Sequence, residues 1–252
     1  MRRWQLTILS IVIVFVVVVV GVIGKGGSSQ AAFSAGKNAT KPVLIAQNSY
    51  PTRIMLLGDS ITAGHENQNG YRRLLWFYLR NAGYNVDFVG STQFNCNGRT
   101  PLSDFDLEHE GHCGWRADQM LERIDEWASR NQPDIVLIHV GTIDLALEPS
   151  AESTIEDVRG IIQKFCNNNP YVKILLAQII GCGYPERIQQ FNSLIPNLAS
   201  ETYTSQSPVI VVDQYNGFDA TLGVDTFDGC HPNDTGEWKL ATRWFDALKQ
   251  VL

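Results

Sequence analysis

The stretch "RIMLLGDSITAG" (53–64) sets a run of apolar residues, Ile54 to Leu57, directly against Gly58-Asp59-Ser60. Four consecutive apolar residues have no polar side to offer solvent, which fits a strand covered on both faces. The acid and hydroxyl that follow sit where α/β folds mount their chemistry, at a strand's carboxyl end. Gly58 and Gly64 suit the tight turn that projects Ser60 at the rim. The same three residues also suit an ordinary turn, so the rest of the chain must decide between these readings.

Outward from this stretch the chain alternates. Tyr71, Leu74, Leu75, Tyr78 and Leu79 recur at helical spacing, and Asn85–Gly90 reads as a second strand. Met120, Leu121, Ile124 and Trp127 mark a helix before the strongly β-like "DIVLIHV" (134–140). Ile155, Val158, Ile161, Ile162 and Phe165 give the next helix and Val172–Ile179 the next strand. A helix over about 186–202, a strand at Val209–Val212 and an amphipathic helix through Ala241, Trp244, Phe245 and Leu248 close the chain. Apolar strands separated by single helices predict a three-layer α/β/α fold around a five-stranded parallel sheet, flavodoxin-like in plan. Ser60, Gly141–Asp144 and Asp213 then follow strand ends and share one rim.

The N-terminal region differs. Arg2 and Arg3 precede Leu6–Ile23, an apolar run interrupted only by Thr7, Ser10 and Gly21. As a helix its 18 residues would span about 27 Å, close to the hydrocarbon thickness of a bilayer. Residues 1–24 are therefore expected to act as a signal peptide or an N-terminal membrane anchor. The positive flank keeps the N-terminus cytoplasmic and the remainder outside. Residues 25–50, rich in Gly, Ser, Ala, Asn and Lys, read as a flexible linker, leaving 51–252 as the folded domain. Localisation is expected to be extracellular, secreted or membrane-anchored. Five cysteines fit one or two disulfides with a thiol left over, Cys96 and Cys113 being the favoured pair. A net charge of −6 argues against a nucleic-acid partner, with Arg72, Arg73 and Arg80 read as a solvated helix face.

"DGCHPND" (228–234) places Asp228 and His231 three residues apart, with Asn233 suited to start the final helix. A serine hydroxyl needs a base, and the base benefits from an orienting acid. Ser60, His231 and Asp228 would supply all three, although "DGCHPND" taken alone reads more simply as a polar turn leading into the final helix. "HEGHCGWRADQM" (109–120) sets Gly114 before a helix, where a backbone N–H can face a developing oxyanion, and "HVGTIDL" (139–145) sets Gly141 at a strand end. These four blocks, in this order over residues 53–245, resemble the SGNH (GDSL) hydrolases, most closely carbohydrate esterase family three, the acetyl xylan esterase-like branch.

The resemblance implies Ser60 as nucleophile, His231 as general base and acid, Asp228 as its orienter, and the N–H groups of Ser60 and Gly114 as the oxyanion hole. It needs no cofactor and no metal. It also implies an asparagine at position 143, where this chain has Ile143, while strand alternation would turn the Thr142 hydroxyl away. Asp59, Trp115 and Asp144 are the candidate substrate-binding residues, Trp115 either stacking on a sugar or packing in the core.

His109, Glu110, His112 and Cys113 imitate a metal cluster but read as a surface loop. His139 reads as a core histidine, and His65 as either cleft-lining or exposed. Trp76, Trp127, Trp238 and Trp244 read as helix packing. Asn38 and Asn233 open glycosylation sequons. The expected function is an exported serine esterase removing acetyl groups from a polysaccharide such as xylan, acting as a monomer. Its competitors are a lipid acylhydrolase or thioesterase of the same fold and, because of Ile143, a weakened or non-catalytic carbohydrate-binding relative.

Overall fold

The computed structural model describes residues 50–147 and 150–252. The signal or anchor segment, the linker up to residue 49 and Asn38 lie outside the described residues. Among those described, no helix is long and apolar enough to cross a membrane.

The sheet is entirely parallel. Its strands are β1 (Thr52–Gly58), β2 (Val86–Val89), β3 (Glu110–Gly111), β4 (Ile135–His139), β5 (Lys173–Gln178) and β6 (Val209–Asp213). They run in the order β2-β1-β4-β5-β6, with β3 attached to β1. The helices are α1 (Ser60–Ala63), α2 (Gly70–Asn81), α3 (Ala117–Asn131), α4 (Thr142–Leu147), α5 (Ala151–Asn168), α6 (Pro185–Thr202) and α7 (Asp234–Leu248). α3, α5 and α6 pack side by side, while α2 packs with α7, so the sheet is sandwiched as its apolar strands require. Ile54–Leu57 and Val136–Ile138 are wholly buried, each side chain contributing about 1.5–3 kcal/mol of apolar transfer.

The sixth strand departs from the expected five. β1 pairs with β2 through Met55↔Val89 and outlasts it, so β3 takes over the vacated edge as Leu57↔Glu110 and Gly58↔Gly111. A two-residue strand is too short to leave a hydrophobic period. Its pairing buries His109 and Glu110, which corrects the surface-loop reading of that segment.

Arg72 is a second correction. It is buried rather than solvated, and its guanidinium donates to the carbonyls of Ala63 (2.8 Å) and Leu107 (3.0 Å) and to Asn95 Oδ1 (2.7 Å). Burial lowers its pKa to about 10. Asn95 in turn donates to the carbonyls of His65 and Gln68. This network fastens the loops beyond α1 to the body of the fold. Trp244 and Trp127 are core residues as expected, whereas Trp238 is half-exposed on α7.

Cys96–Cys113 and Cys182–Cys230 are disulfides, and Cys166 is the free thiol among the described residues. The first pair is the one the sequence favours; the second joins residues 48 apart.

Candidate active site

β1 ends at Gly58, and its Cβ-free backbone is obligatory there. A methyl group at this position would run into Thr62 Oγ1 and lie 2.6 Å from the His139 carbonyl oxygen. The chain then turns through Asp59, whose carboxylate accepts from the Ile61 N–H at 2.9 Å and so starts α1 at Ser60. Asp59 is buried, and burial raises its pKa against the opposing effects of the Ile61 N–H and the Thr142 side chain. In the structure its side chain is a buried cap of α1.

The turn before α7 supplies the partners. Asn233 caps α7 by accepting from the N–H groups of Thr235 and Gly236, and it donates its amide to the carbonyls of Val224 and Thr226. Its side chain is thus committed inside the fold. Immediately upstream, His231 Nε2 lies 2.9 Å from Ser60 Oγ, and His231 Nδ1 lies 2.6 Å from Asp228 Oδ2. An ionised carboxylate can only accept, so Nδ1 carries the proton and Nε2 is left to accept from the serine hydroxyl. Burial pushes the Asp228 carboxyl up, but the N–H groups of His231 and Cys230 and the His231 ring outweigh it, leaving the pKa below the usual carboxylate value.

Gly114 stands at the neighbouring strand end. It has φ +75°, in the left-handed region that glycine adopts freely, within a turn closed by Trp115 N–H donating to the His112 carbonyl. The turn is tied to β1 through His112 N–H, which donates to the Gly58 carbonyl at 2.8 Å. Among the described residues, the N–H groups of Ser60 and Gly114 donate to no protein acceptor.

Asp144 fixes the far side of this turn. It is buried, and its carboxylate accepts from Ala117 N–H at 3.0 and 3.1 Å, capping α3 from α4. Burial raises its pKa to about 6. Asp144 therefore supports the Gly114 turn from behind, its carboxylate engaged by the first N–H of α3.

Trp115 is half-buried, its ring 4.7 Å from that of His112, which stacks on Trp127 at 4.6 Å. Residues 142–147 are helical, so strand alternation does not govern Thr142; its side chain is buried on the Asp59 side. Ile143, the second residue of α4, is half-buried after the strand paired with β1 in the register Gly58↔His139.

The residues that imitate a metal cluster are otherwise engaged. Cys113 is disulfide-bonded, His109 Nδ1 accepts from Gly111 N–H, and Glu110 binds Ser91 and the His112 ring. His139 is a buried histidine whose Nε2 accepts from Ile180 N–H, its pKa lowered by burial to about 4. His65 lies against the exposed Phe227, ring centroids 5.5 Å apart, and Phe227 stacks on His231 at 5.8 Å and 18°. Phe227 escapes sequence reasoning, since a single aromatic next to "DGCHPND" carries no pattern.

An imidazole-paired serine at the carboxyl rim of a parallel sheet, beside two free amide donors, is the arrangement of a carboxylic ester hydrolase. The chain belongs to the GDSL-like Lipase/Acylhydrolase family, whose model matches residues 56–239. It is 29% identical over 226 residues to a multidomain esterase of Ruminococcus flavefaciens, covering 79% of this chain and 29% of that protein's length. Two solved structures are similar in both sequence and fold. One is an acetyl esterase mutant crystallised with an acetate ion (32% identity, TM-score 0.71). The other is a carbohydrate esterase family 3 protein from Talaromyces cellulolyticus (33% identity, TM-score 0.70). Each alignment covers 79% of this chain and 97% of the other.

Proposed function

We propose that the protein is an exported serine esterase that removes acetyl groups from an acylated polysaccharide such as xylan. The observation that carries the reading is the hydrogen-bonded series from Ser60 Oγ through His231 to Asp228. Ser60 Oγ attacks the ester carbonyl while its proton passes to His231 Nε2, and Asp228 stabilises the imidazolium. The N–H groups of Ser60 and Gly114 receive the oxyanion. His231 then returns the proton to the departing sugar oxygen, leaving acetyl-Ser60. Water, deprotonated by the same imidazole, releases acetate and regenerates the hydroxyl.

Acetyl as the acyl group and carbohydrate as the leaving group are supported by the acetyl esterase and carbohydrate esterase relatives. The site is open, with the side chains of His231 and Asp228 31% and 41% exposed, which suits a bulky polymer. Phe227 offers a ring face beside the base on which a sugar can lie. Export, as a secreted or membrane-anchored protein, is supported by two disulfides, which persist in oxidising compartments.

Ser60→Ala tests the reading. Release of acetate from acetylated xylan and from p-nitrophenyl acetate should vanish, with the circular dichroism spectrum unchanged. Undiminished turnover in the folded variant would overturn it.

A further inference from the structure

We infer that the Cys182–Cys230 disulfide is the positioning device of the general base: it, and not the loop's own hydrogen bonding, holds His231 over Ser60. The inference rests on the assignment of His231 as base. Cys230 lies between Asp228 and His231, and Cys182 lies in the segment that leaves β5 for α6.

The hydrogen bonds of residues 227–231 explain why a covalent tie matters here. Phe227 N–H donates to the His231 carbonyl, and Gly229 N–H donates to Thr226 Oγ1. Cys230 and His231 N–H both donate to Asp228 Oδ1, and the His231 ring meets Asp228 Oδ2. Every one of these bonds stays within the turn or reaches its immediate neighbour. Among the described residues, the only hydrogen bond from 227–231 to a distant part of the chain is that between His231 and Ser60. The turn is thus rigid in itself. Its chain neighbours are tied in, Thr226 donating to the Ala220 carbonyl and Asn233 to the Thr226 carbonyl, and the Phe227 ring meets that of His65. Apart from these, the turn is attached to the rest of the fold by the catalytic contact and the disulfide. A catalytic contact that must break and re-form during turnover cannot also serve as the anchor.

The Cys96–Cys113 disulfide makes the contrast. Cys113 adjoins Gly114 just as Cys230 adjoins His231, yet the Gly114 turn is held three further times. These ties are the β1–β3 pairing, His112 N–H to Gly58, and Ala117 N–H to Asp144. The two disulfides therefore have unequal roles, although each abuts one half of the site.

The test compares two double variants of the full chain, Cys182→Ser with Cys230→Ser and Cys96→Ser with Cys113→Ser, alongside Ser60→Ala. Each is assayed for kcat and KM on p-nitrophenyl acetate and for the rate at which a fluorophosphonate labels Ser60. Misplacing a catalytic group by about 1 Å costs roughly 100-fold. The variant lacking Cys182–Cys230 should lose about 10- to 100-fold in kcat, with KM within twofold, and its labelling rate should fall in the same ratio. The variant lacking Cys96–Cys113 should keep kcat within about threefold, because its loop retains three anchors.

Full kcat and labelling in a folded protein without Cys182–Cys230 would overturn the inference, as would equal losses in both variants. Should the first variant fail to fold, the native chain is titrated with a phosphine reductant, and alkylation with mass spectrometry reads which pair has opened. Activity lost in step with the opening of Cys182–Cys230 supports the inference; activity that persists after it opens refutes it. If Ser60→Ala remained active, the assignment of the site would fall instead, which separates the two ideas.

Discussion

One carboxylate holds His231 twice: Asp228 Oδ2 lies 2.6 Å from the ring Nδ1, and Asp228 Oδ1 accepts the His231 backbone N–H at 2.7 Å. Within the turn, the ring's orientation is therefore set by one side chain three positions upstream. The turn comes into register with Ser60 across 171 residues of chain.

The Asp228→Asn variant should lose at least about 100-fold in kcat. An asparagine can offer its amide N–H to Nδ1, which drives the proton to Nε2 and removes the acceptor that Ser60 needs. KM should change little, because the ground-state contacts are untouched. Steady-state kinetics on p-nitrophenyl acetate give both numbers, and a kcat within threefold of the parent would show that the carboxylate is dispensable.

Ile143 occupies the position at which the resemblance places an amide donor to the oxyanion. An oxyanion donor is typically worth about 2.7–4 kcal/mol. Ile143→Asn should accordingly raise kcat on acetyl esters by about 10-fold, less than the full worth because a half-buried amide must also be paired. The donor acts on charge that develops in the transition state, so KM should stay put. An unchanged kcat would mean that the side chain at 143 does not face the reacting carbonyl.

A substitution at Phe227 should separate polymer from small ester. Replacing its exposed ring by Leu removes the flat face beside His231 while keeping apolar bulk. At about 1 kcal/mol for one ring contact, KM for acetylated xylan should rise about fivefold. The value of kcat/KM on p-nitrophenyl acetate should move less than twofold. Equal effects on both substrates would assign Phe227 to the packing of the base instead.

Stability should carry a pH signature from Glu237, which is buried on α7. Burial, reinforced by Asp234, raises its pKa from 4.5 to about 8. Between these values the folded state retains a proton that the unfolded chain has released, so the free energy of unfolding falls as pH rises from about 4.5 to 8. The cost is fully present above about pH 8 and absent below about 4.5. Glu237→Gln removes the titration. Its melting temperature should match the parent near pH 4.5 and exceed it by several degrees at pH 8.5, on the scale of a few kcal/mol. Parallel melting curves across this range, measured by circular dichroism, would contradict the assignment.

The sequence by itself determined the parallel sheet, its long strands along the chain and the placing of Ser60 at a strand end, because strands buried on both faces must be apolar throughout. Ile54–Leu57 and "DIVLIHV" carry that requirement in every residue. Asp228 and His231 were legible only in company: their spacing alone fits a polar turn, and the order of four motifs along the chain singled them out. Cys96–Cys113 was within reach because the two cysteines flank one short loop.

Tertiary structure alone decided the rest, and in each case the determinant lies far away in the chain. β3 exists because β2 stops short of the end of β1. Arg72 is buried because acceptors from α1, Asn95 and Leu107 converge on its guanidinium, a meeting that a helical wheel cannot register. Asp144 faces inward because the first N–H of α3 arrives beside it. The Cys182–Cys230 bond is set by the fold, since its halves precede and follow β6 in the chain and only the tertiary structure brings them together. Local patterns record which side of an element is buried; which groups satisfy its polar atoms is fixed only when distant loops are brought together.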